Sequence, residues 1–323
     1  MRAEDDTPRR DEPGRPGQGE PAPSTQGGEP TQDRPPLDAA RLNQVILHPG
    51  GLWQAIEVTG STGSTNADLL ARAAQGAPEG LVLTAEEQLA GRGRMGRSWV
   101  SPPRSSLMFS LLLRPHQVPV GRRGWLPLLT GVAVAEAVNA ATGIRARLKW
   151  PNDLMVRDAL SARDAKLAGI LAEASGGAIV VGVGLNVSTT PDELPPPPPG
   201  GLPATSLRAA TTDQAATDQA ATDQAITDNS VPDRETLLAA ILASFERWYE
   251  PWRQASGDPE ASGLRPAYTL LCATIGRRVR AELPGDQLLS GLAVGVDSDG
   301  RLLVREPSGT EVPVAAGDVV HLR

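Results

Sequence analysis

The sequence predicts an α+β domain carrying a small C-terminal β-barrel, with a low-complexity tail in front and a low-complexity insertion inside it. Three observations carry that prediction. Capped helical segments alternate with short buried strands through most of residues 41–270. The last fifty residues change to closely spaced strands joined by turns. Two stretches, residues 1–40 and 190–232, have compositions that bury too little apolar surface to offset the entropy of ordering, and are expected to be disordered. The expected organisation is a tail over 1–40, a main domain over 41–270 holding the insertion, and a small domain over 271–323.

Each element has a local reason. Thr65-Asn66-Ala67-Asp68 opens an apolar-periodic segment with Leu69, Leu70 and Ala73, stopped by Gly76: a capped helix of about three turns. Leu81–Ala85 and Ser106–Leu113 read as buried strands. Leu126–Ala141 reads as a helix with Gly143 beyond its end, and Arg145–Trp150 as a strand halted by Pro151. Leu167–Glu173 and Ala178–Leu185 are two further strands, the second a continuous apolar run suited to a central position. Leu160–Ala165 reads as an insertion at a hairpin tip. Pro195–Pro199 and a Thr-Asp-Gln-Ala-Ala repeat from Thr212 match neither helical nor strand periodicity. Over Glu235–Trp252, the residues Leu238, Ile241, Leu242, Phe245, Trp248, Tyr249 and Trp252 follow helical spacing. Arg278–Leu283, Leu289–Val296, Arg301–Glu306 and Val312–Leu322 are the barrel strands, with Asp299-Gly300 a hairpin turn.

Composition removes several classes of function. The single cysteine, Cys272, forbids an intramolecular disulfide, and with the scattered His48, His116 and His321 it forms no metal-ligand cluster. A cytoplasmic setting fits this cysteine usage. The N-terminus lacks the apolar stretch of a signal peptide, and the glycine-broken run at 178–187 is too short to span a bilayer. No membrane association is expected. A net charge of −7 opposes general nucleic-acid affinity while leaving room for a local basic loop.

The two lysines, Lys149 and Lys166, stand against 29 arginines among the 31 basic residues. Each lies in a dense polar motif, where a compact ammonium suits a phosphate or carboxylate oxygen in a tight pocket. Gln88-Leu89-Ala90-Gly91-Arg92-Gly93-Arg94-Met95-Gly96-Arg97-Ser98-Trp99 interleaves glycines with arginines directly after a strand. Its backbone N–H groups can approach an anion closely while guanidiniums neutralise it. A phosphate-binding loop is the expectation; an RNA-binding Arg-Gly segment is the alternative. Ser64-Thr65-Asn66 sits at a helix N-terminus, available for capping and for a polar ligand head. In Lys149-Trp150-Pro151-Asn152-Asp153, the aspartate suits a turn, a magnesium ion or the orientation of a lysine. Asn186 closes Val183-Gly184-Leu185-Asn186-Val187 at the end of a buried strand.

Taken in this order, together with Lys166-Leu167-Ala168-Gly169-Ile170-Leu171, these motifs resemble those of the biotin protein ligases. The resemblance is strong over about Val58–Asn186. It implies a mixed β-sheet flanked by helices, related to the class II aminoacyl-tRNA synthetase core, with an SH3-like C-terminal barrel. It implies ATP-dependent conversion of biotin to biotinyl-5′-AMP, then transfer to a lysine of a biotin carboxyl carrier domain, by a monomer or weak homodimer. The family roles place Ser64, Thr65, Asn66 and Gln88 at the biotin head group, and Arg92, Gly93 and Arg94 over the carboxylate and phosphate. Lys166 falls on the carboxylate and α-phosphate, and backbone at Gly169 and Leu171 on the biotin ring. Arg92, Arg94, Arg97, Lys149, Asn152 and Asn186 surround the phosphates, and Asp153 the Mg²⁺. Lys166, Arg94 and Asp153 are thus the expected catalytic set. The first forty residues lack the apolar side chains of a helical DNA-binding domain, so a repressor role is not expected. Lipoate or octanoate transfer on the same fold, and non-catalytic ligand or RNA binding, are the rival readings.

Overall fold

The computed structural model describes residues 34–157, 163–197, 201–211, 231–283, 287–315 and 317–322. Within them β1 (Ala55–Thr59), β2 (Leu81–Ala85), β3 (Ser106–Leu113), β4 (Arg147–Lys149), β5 (Asp153–Arg157), β6 (Asp164–Ser175) and β7 (Ala178–Asn186) form one sheet. Its order is β1-β2-β3-β7-β6-β5-β4. The β1–β2 pair is parallel and every other pair antiparallel, so the sheet is mixed as expected.

Helices cover both faces. On one side lie α1 (Ala39–Ile46), α3 (Leu126–Thr142), α4 (Arg234–Gln254) and α5 (Leu264–Leu271); α2 (Thr65–Ala74) lies on the other. Strand β3 is buried throughout, but its two faces differ. Leu107, Phe109, Leu111 and Leu113 enter the main core, whereas Leu112 joins Leu69 and Ala73 under α2. Ser110 shares the α2 side and is fully buried. Period-two alternation therefore delivers a hydroxyl beneath the first turn of α2.

Helix α3 starts with Pro127 in its first turn and stops at Gly143, whose φ of 71° suits a residue without Cβ. The apolar stretch Val120–Thr142 has the length and composition of a membrane span, yet 67% of an 18-residue window within it is buried inside the fold. It is a core helix packed against α4. Asp233 caps α4, accepting from the Thr236 N–H at 2.9 Å. The predicted apolar row follows, with Leu238, Ile241, Leu242, Phe245, Tyr249 and Trp252 all buried.

The second sheet comprises β8 (Arg278–Leu283), β9 (Gln287–Val296), β10 (Leu302–Arg305), β11 (Glu311–Val314) and β12 (Asp318–His321), in the order β11-β10-β9-β8-β12. It is wholly antiparallel. Among the described residues β11 and β12 do not pair, so the sheet is barrel-like rather than a closed barrel. The single strand expected over Val312–Leu322 is two, separated by Gly317 at φ 145°. Tryptophans tie the sheets together. The Trp150 indole donates to Gly300 O at 3.0 Å, and its backbone N–H donates to Thr274 Oγ1 at 3.0 Å.

Two expectations of disorder need correction. Residues 34–40 belong to the fold. Leu37 is buried, its N–H donates to Glu86 at 2.6 Å, and Arg234 donates to Pro35 O at 2.7 Å. Polar anchors in the main domain thus hold a segment whose own composition could not order it. The insertion is also partly structured: residues 203–205 run beside Lys166 of β6, residues 207–211 are helical, and Leu207 is fully buried in the main core. One leucine inserted into an existing core outweighs a polar neighbourhood. Residues 1–33, the Thr-Asp-Gln-Ala-Ala repeat from Thr212 and residues 158–162 lie outside the described residues.

Candidate active site

The two glycines of β7 create the floor of the site. Val181, Val183 and Leu185 point into the main core, which leaves Gly182, Gly184 and Asn186 on the opposite face. A Cβ on Gly182 would lie 2.2 Å from Asn66 Oδ1, and one on Gly184 would lie 2.5 Å from Trp99 Cε2. The strand is bare there because the Asn66 amide and the Trp99 indole lie directly on its backbone.

A β-bulge makes the adjacent wall. Leu154 pairs with Ala168 but Met155 pairs with Lys166, so Leu167 is an extra residue in β6. Strict alternation would put Lys166 and Gly169 on opposite faces. The bulge brings them to one side, with Lys166 Nζ 3.3 Å from where a Gly169 Cβ would stand. The Lys166 backbone turns to the insertion instead: its N–H donates to Pro203 O at 2.7 Å, and its carbonyl accepts from Thr205 N at 2.9 Å. The Lys166 ammonium lies 2.6 Å from Asp153 Oδ1 and 5.9 Å from the Trp99 ring centroid.

Over this floor folds the Gly-Arg loop. Gly93 N donates to Arg97 O at 2.6 Å and Trp99 N donates to Gly91 O at 2.9 Å, closing a narrow hairpin. Its tip turns through Met95 and Gly96, both in the left-handed region at φ 54° and 73°. Arg94 reaches the second sheet, donating to Gly317 O at 3.4 Å.

At the far end stands the first turn of α2, with Ser64 as its N-cap. The Thr65 N–H donates to Gln88 Oε1 at 2.9 Å, which joins the helix start to the root of the loop. Asn66 Nδ2 donates to Leu171 O at 3.2 Å and to Glu173 Oε2 at 2.8 Å. The other two asparagines are likewise held by backbone: Asn152 donates to Ile170 O at 3.0 Å, and Asn186 to Thr205 O at 2.9 Å.

The resulting pocket has a volume of about 370 Å³, within the usual range for small-ligand sites. Every residue singled out from the sequence borders it: Ser64, Thr65, Asn66, Gln88, Arg92, Gly93, Arg94, Arg97, Lys149, Asn152, Asp153, Lys166, Gly169, Leu171 and Asn186. Among the described residues that border it are five cationic side chains and a single acid, Asp153, in a chain of net charge −7. Such a focus of positive charge suits an anionic ligand and developing phosphate charge. Sequence reasoning gave no role to Trp99, although the loop motif contains it, nor to Leu202 and Ala204 of the insertion, which also border the pocket. It also passed over Ser110 and Glu173, which carry no motif and act only through space.

Behind the pocket, His321 of β12 contacts Thr274 Oγ1 at 3.0 Å and Arg277 at 3.2 Å. Burial, with the nearby charges of Lys149 and Arg277, pushes its pKa down to about 4. The neutral ring accepts from Arg277 at Nδ1, so its proton is on Nε2 and points to Thr274.

This sheet, its glycine floor and its cation-lined pocket define a protein ligase of the biotin and lipoate type. Residues 57–189 match the biotin/lipoate A/B protein ligase family, and residues 274–322 match the biotin protein ligase C-terminal domain. The chain belongs to the biotin protein ligase family. It is 41% identical over 294 residues to the biotin–[acetyl-CoA-carboxylase] ligase of Mycobacterium tuberculosis, covering 90% of this chain and 97% of that one. The ligase of the same name from Paracoccus denitrificans is 33% identical, covering 79% of this chain and 96% of its own length. The fold matches a biotin protein ligase from Aquifex aeolicus solved with biotin and ATP, at a TM-score of 0.63 and 24% identity over 84% of this chain and all of that one.

Proposed function

We propose that this pocket activates biotin with ATP and that the chain then transfers biotin to a lysine of a biotin carboxyl carrier domain in an acyl-CoA carboxylase. In the first step a carboxylate oxygen of biotin attacks the α-phosphorus of ATP. The bond to the bridging oxygen of the β-phosphate breaks, releasing pyrophosphate and leaving biotinyl-5′-AMP. In the second, the acceptor amine attacks the acyl carbon, loses a proton and expels AMP. Neither step needs an enzyme nucleophile, and Cys272 borders no part of the pocket.

The Lys166–Asp153 pair beside the glycine floor carries this reading. Two anions must meet for the first step, and a fixed ammonium between carboxylate and phosphate lowers the cost of bringing them together. Asp153 holds that ammonium in place. Arg92, Arg94 and Arg97 supply further charge from a loop that excludes water and shields the mixed anhydride. Lys149, Asn152 and Asn186 border the phosphate side. Gln88 and Thr65 meet the head group at the other end.

Magnesium fits as a companion of ATP, because it takes most of its ligands from phosphate and water and needs only one or two carboxylates. Asp153 is the single carboxylate among the described residues bordering the pocket. When bound, the ion supplies charge neutralisation for the phosphates.

ATP–pyrophosphate exchange with purified protein, comparing biotin, lipoate and octanoate, tests the reading. Exchange with biotin alone is the expected result. Exchange driven by lipoate or octanoate would move the substrate to the neighbouring branch of the fold, and none with any acid would leave a binding protein.

A further inference from the structure

Lys166 stands where the main sheet loses a strand. The pairing of β7 with β6 ends at Ala168, opposite Leu185. Beyond Asn186 the chain turns away, and the N–H groups of Val187 and Ser188 go to Ser105 O at 3.1 and 2.8 Å. The insertion fills the vacated edge, where Ala204 forms a parallel bridge with Lys166. The Lys166 N–H donates to Pro203 O at 2.7 Å, and the Lys166 carbonyl accepts from the Thr205 N–H at 2.9 Å. A residue has one backbone N–H, so the one on Lys166 is committed to the insertion and not to β5.

This stretch has its own anchors. Asn186 Nδ2 donates to Thr205 O at 2.9 Å, Ser206 Oγ to Thr189 O at 2.6 Å, and the Arg208 N–H to Val187 O at 2.9 Å. Leu207 is fully buried. Residues 203–208 are thus wedged between β6 and the chain that leaves β7. Their side chains alternate as in a strand: Leu202 and Ala204 border the pocket, whereas Pro203 and Thr205 do not. Thr205 bears on the site through its backbone.

We propose that Thr205 is a positioning residue for Lys166, and that the insertion serves as the missing strand that holds the base of this lysine. The inference rests on the function proposed above and gives the insertion a part in it. A lysine has two ends to fix. Asp153, 2.6 Å from Nζ, holds the ammonium, but a flexible four-carbon stem separates that end from the backbone. The backbone end lies at a bulge, where the ladder with β5 is already interrupted. Without the Thr205 N–H, the Lys166 carbonyl loses this partner and the bridge opens on one side. The ammonium then follows a moving base, although groups that do chemistry must stay within about 0.5 Å of the productive geometry.

The test uses the full chain with Thr205→Pro, which removes the N–H given to Lys166, and Thr205→Val, which keeps it. Thr205→Pro should lower kcat for biotin-dependent pyrophosphate exchange about tenfold, the scale of one backbone hydrogen bond. The KM values for biotin and ATP and the melting temperature should stay put, and Thr205→Val should retain kcat. In a Lys166→Ala background Thr205→Pro should cost nothing more, because its route to the reaction runs through that side chain. Amide exchange followed by NMR gives a readout that needs no substrate. The Lys166 N–H should exchange about tenfold faster in Thr205→Pro, while the Ile170 N–H, bonded to Asn152 O at 2.9 Å, keeps its rate. Ser206→Ala, which unties the same stretch from Thr189, serves with the same expected pattern if Thr205→Pro fails to fold. Unchanged kcat in Thr205→Pro, equal losses in Thr205→Pro and Thr205→Val, or a full additional loss in the Lys166→Ala background would each overturn the proposal. An unmodified chain that exchanges pyrophosphate with no acid would sink the parent function, and the amide rates would then decide whether the insertion holds Lys166.

Discussion

Replacing Gly184 by alanine adds one methyl group at the most crowded point of the pocket floor. The new Cβ would stand 2.5 Å from Cε2, 2.8 Å from Cζ2 and 2.9 Å from Cδ2 of Trp99. Carbon atoms settle about 3.5–4.0 Å apart, so the indole must retreat by about 1 Å. That retreat lifts the ring from the strand and shifts its contact with Lys166. A misplacement of about 1 Å near reacting groups can lower a rate by about 100-fold, which is the loss expected in kcat/KM for biotin-dependent pyrophosphate exchange. Stability should not fall, because Gly184 sits in regular strand pairing with β3 and β6 and Trp99 belongs to a partly exposed loop. Glycine-to-alanine exchange at a compatible position adds about 0.4–1 kcal/mol by restricting the unfolded chain. The decisive assay is a double-mutant cycle with Trp99→Ala. In that background the clash is gone, and Gly184→Ala should change kcat/KM by less than about twofold. Strict additivity of the two losses, or a Gly184→Ala enzyme close to the original, would refute the argument that glycine is there to seat the indole.

Three further outcomes follow from the same geometry. Lys166→Ala should retain the fold and lose about 100- to 1,000-fold in adenylation, the cost of removing one charge-stabilising donor; near-normal pyrophosphate exchange would remove its central role. Arg234 and Glu86 form an ion pair at 2.7 Å with both side chains 7% exposed, and Arg234→Met leaves that buried carboxylate with the Leu37 N–H but without its counter-charge, so unfolding in urea should show a loss of about 3–5 kcal/mol. His321 is neutral in the folded chain down to about pH 4, whereas an unfolded histidine protonates near 6.5. Between those values the unfolded chain binds more protons, so this contribution to stability is complete above 6.5 and is lost as pH falls toward 4. His321→Gln should flatten the melting-temperature profile across that window; an identical acid slope in both proteins would exclude His321 as its source.

Much of the fold was legible because the relevant signals are local. The limits of β2 and β3 follow from apolar runs between turn residues, β8 from alternation of charged and apolar residues, and α4 from one unbroken apolar face. The elements not anticipated, α1, β1, β5 and α5, are short, and their character comes from neighbours. β5, for instance, is only Asp153–Arg157, directly after a motif that reads as a turn. The candidate site was legible through its dense motifs. Its supporting groups were not, because nothing near Ser110 or Glu173 in sequence marks them; they acquire meaning only when β3 and β6 come to lie beneath α2. Leu207 is the complementary case, a core residue hidden by the composition around it.

The extra residue in β6 makes the position of the ammonium a matter of parity rather than of location. Unbulged pairing of the intact strand, with Leu167 opposite Met155, would send Lys166 to the apolar side of the sheet, whereas deleting Leu167 would leave Lys166 next to core-facing Ala168 and still on the pocket side. Nor could a lysine one position later stand in for it, since Leu167 faces the core with no exposed surface. Such a site can accept exchanges of side chain in its walls more readily than a slip of one residue in the pairing of Lys166 with Met155. Register, in that short stretch, is the more stringent specification.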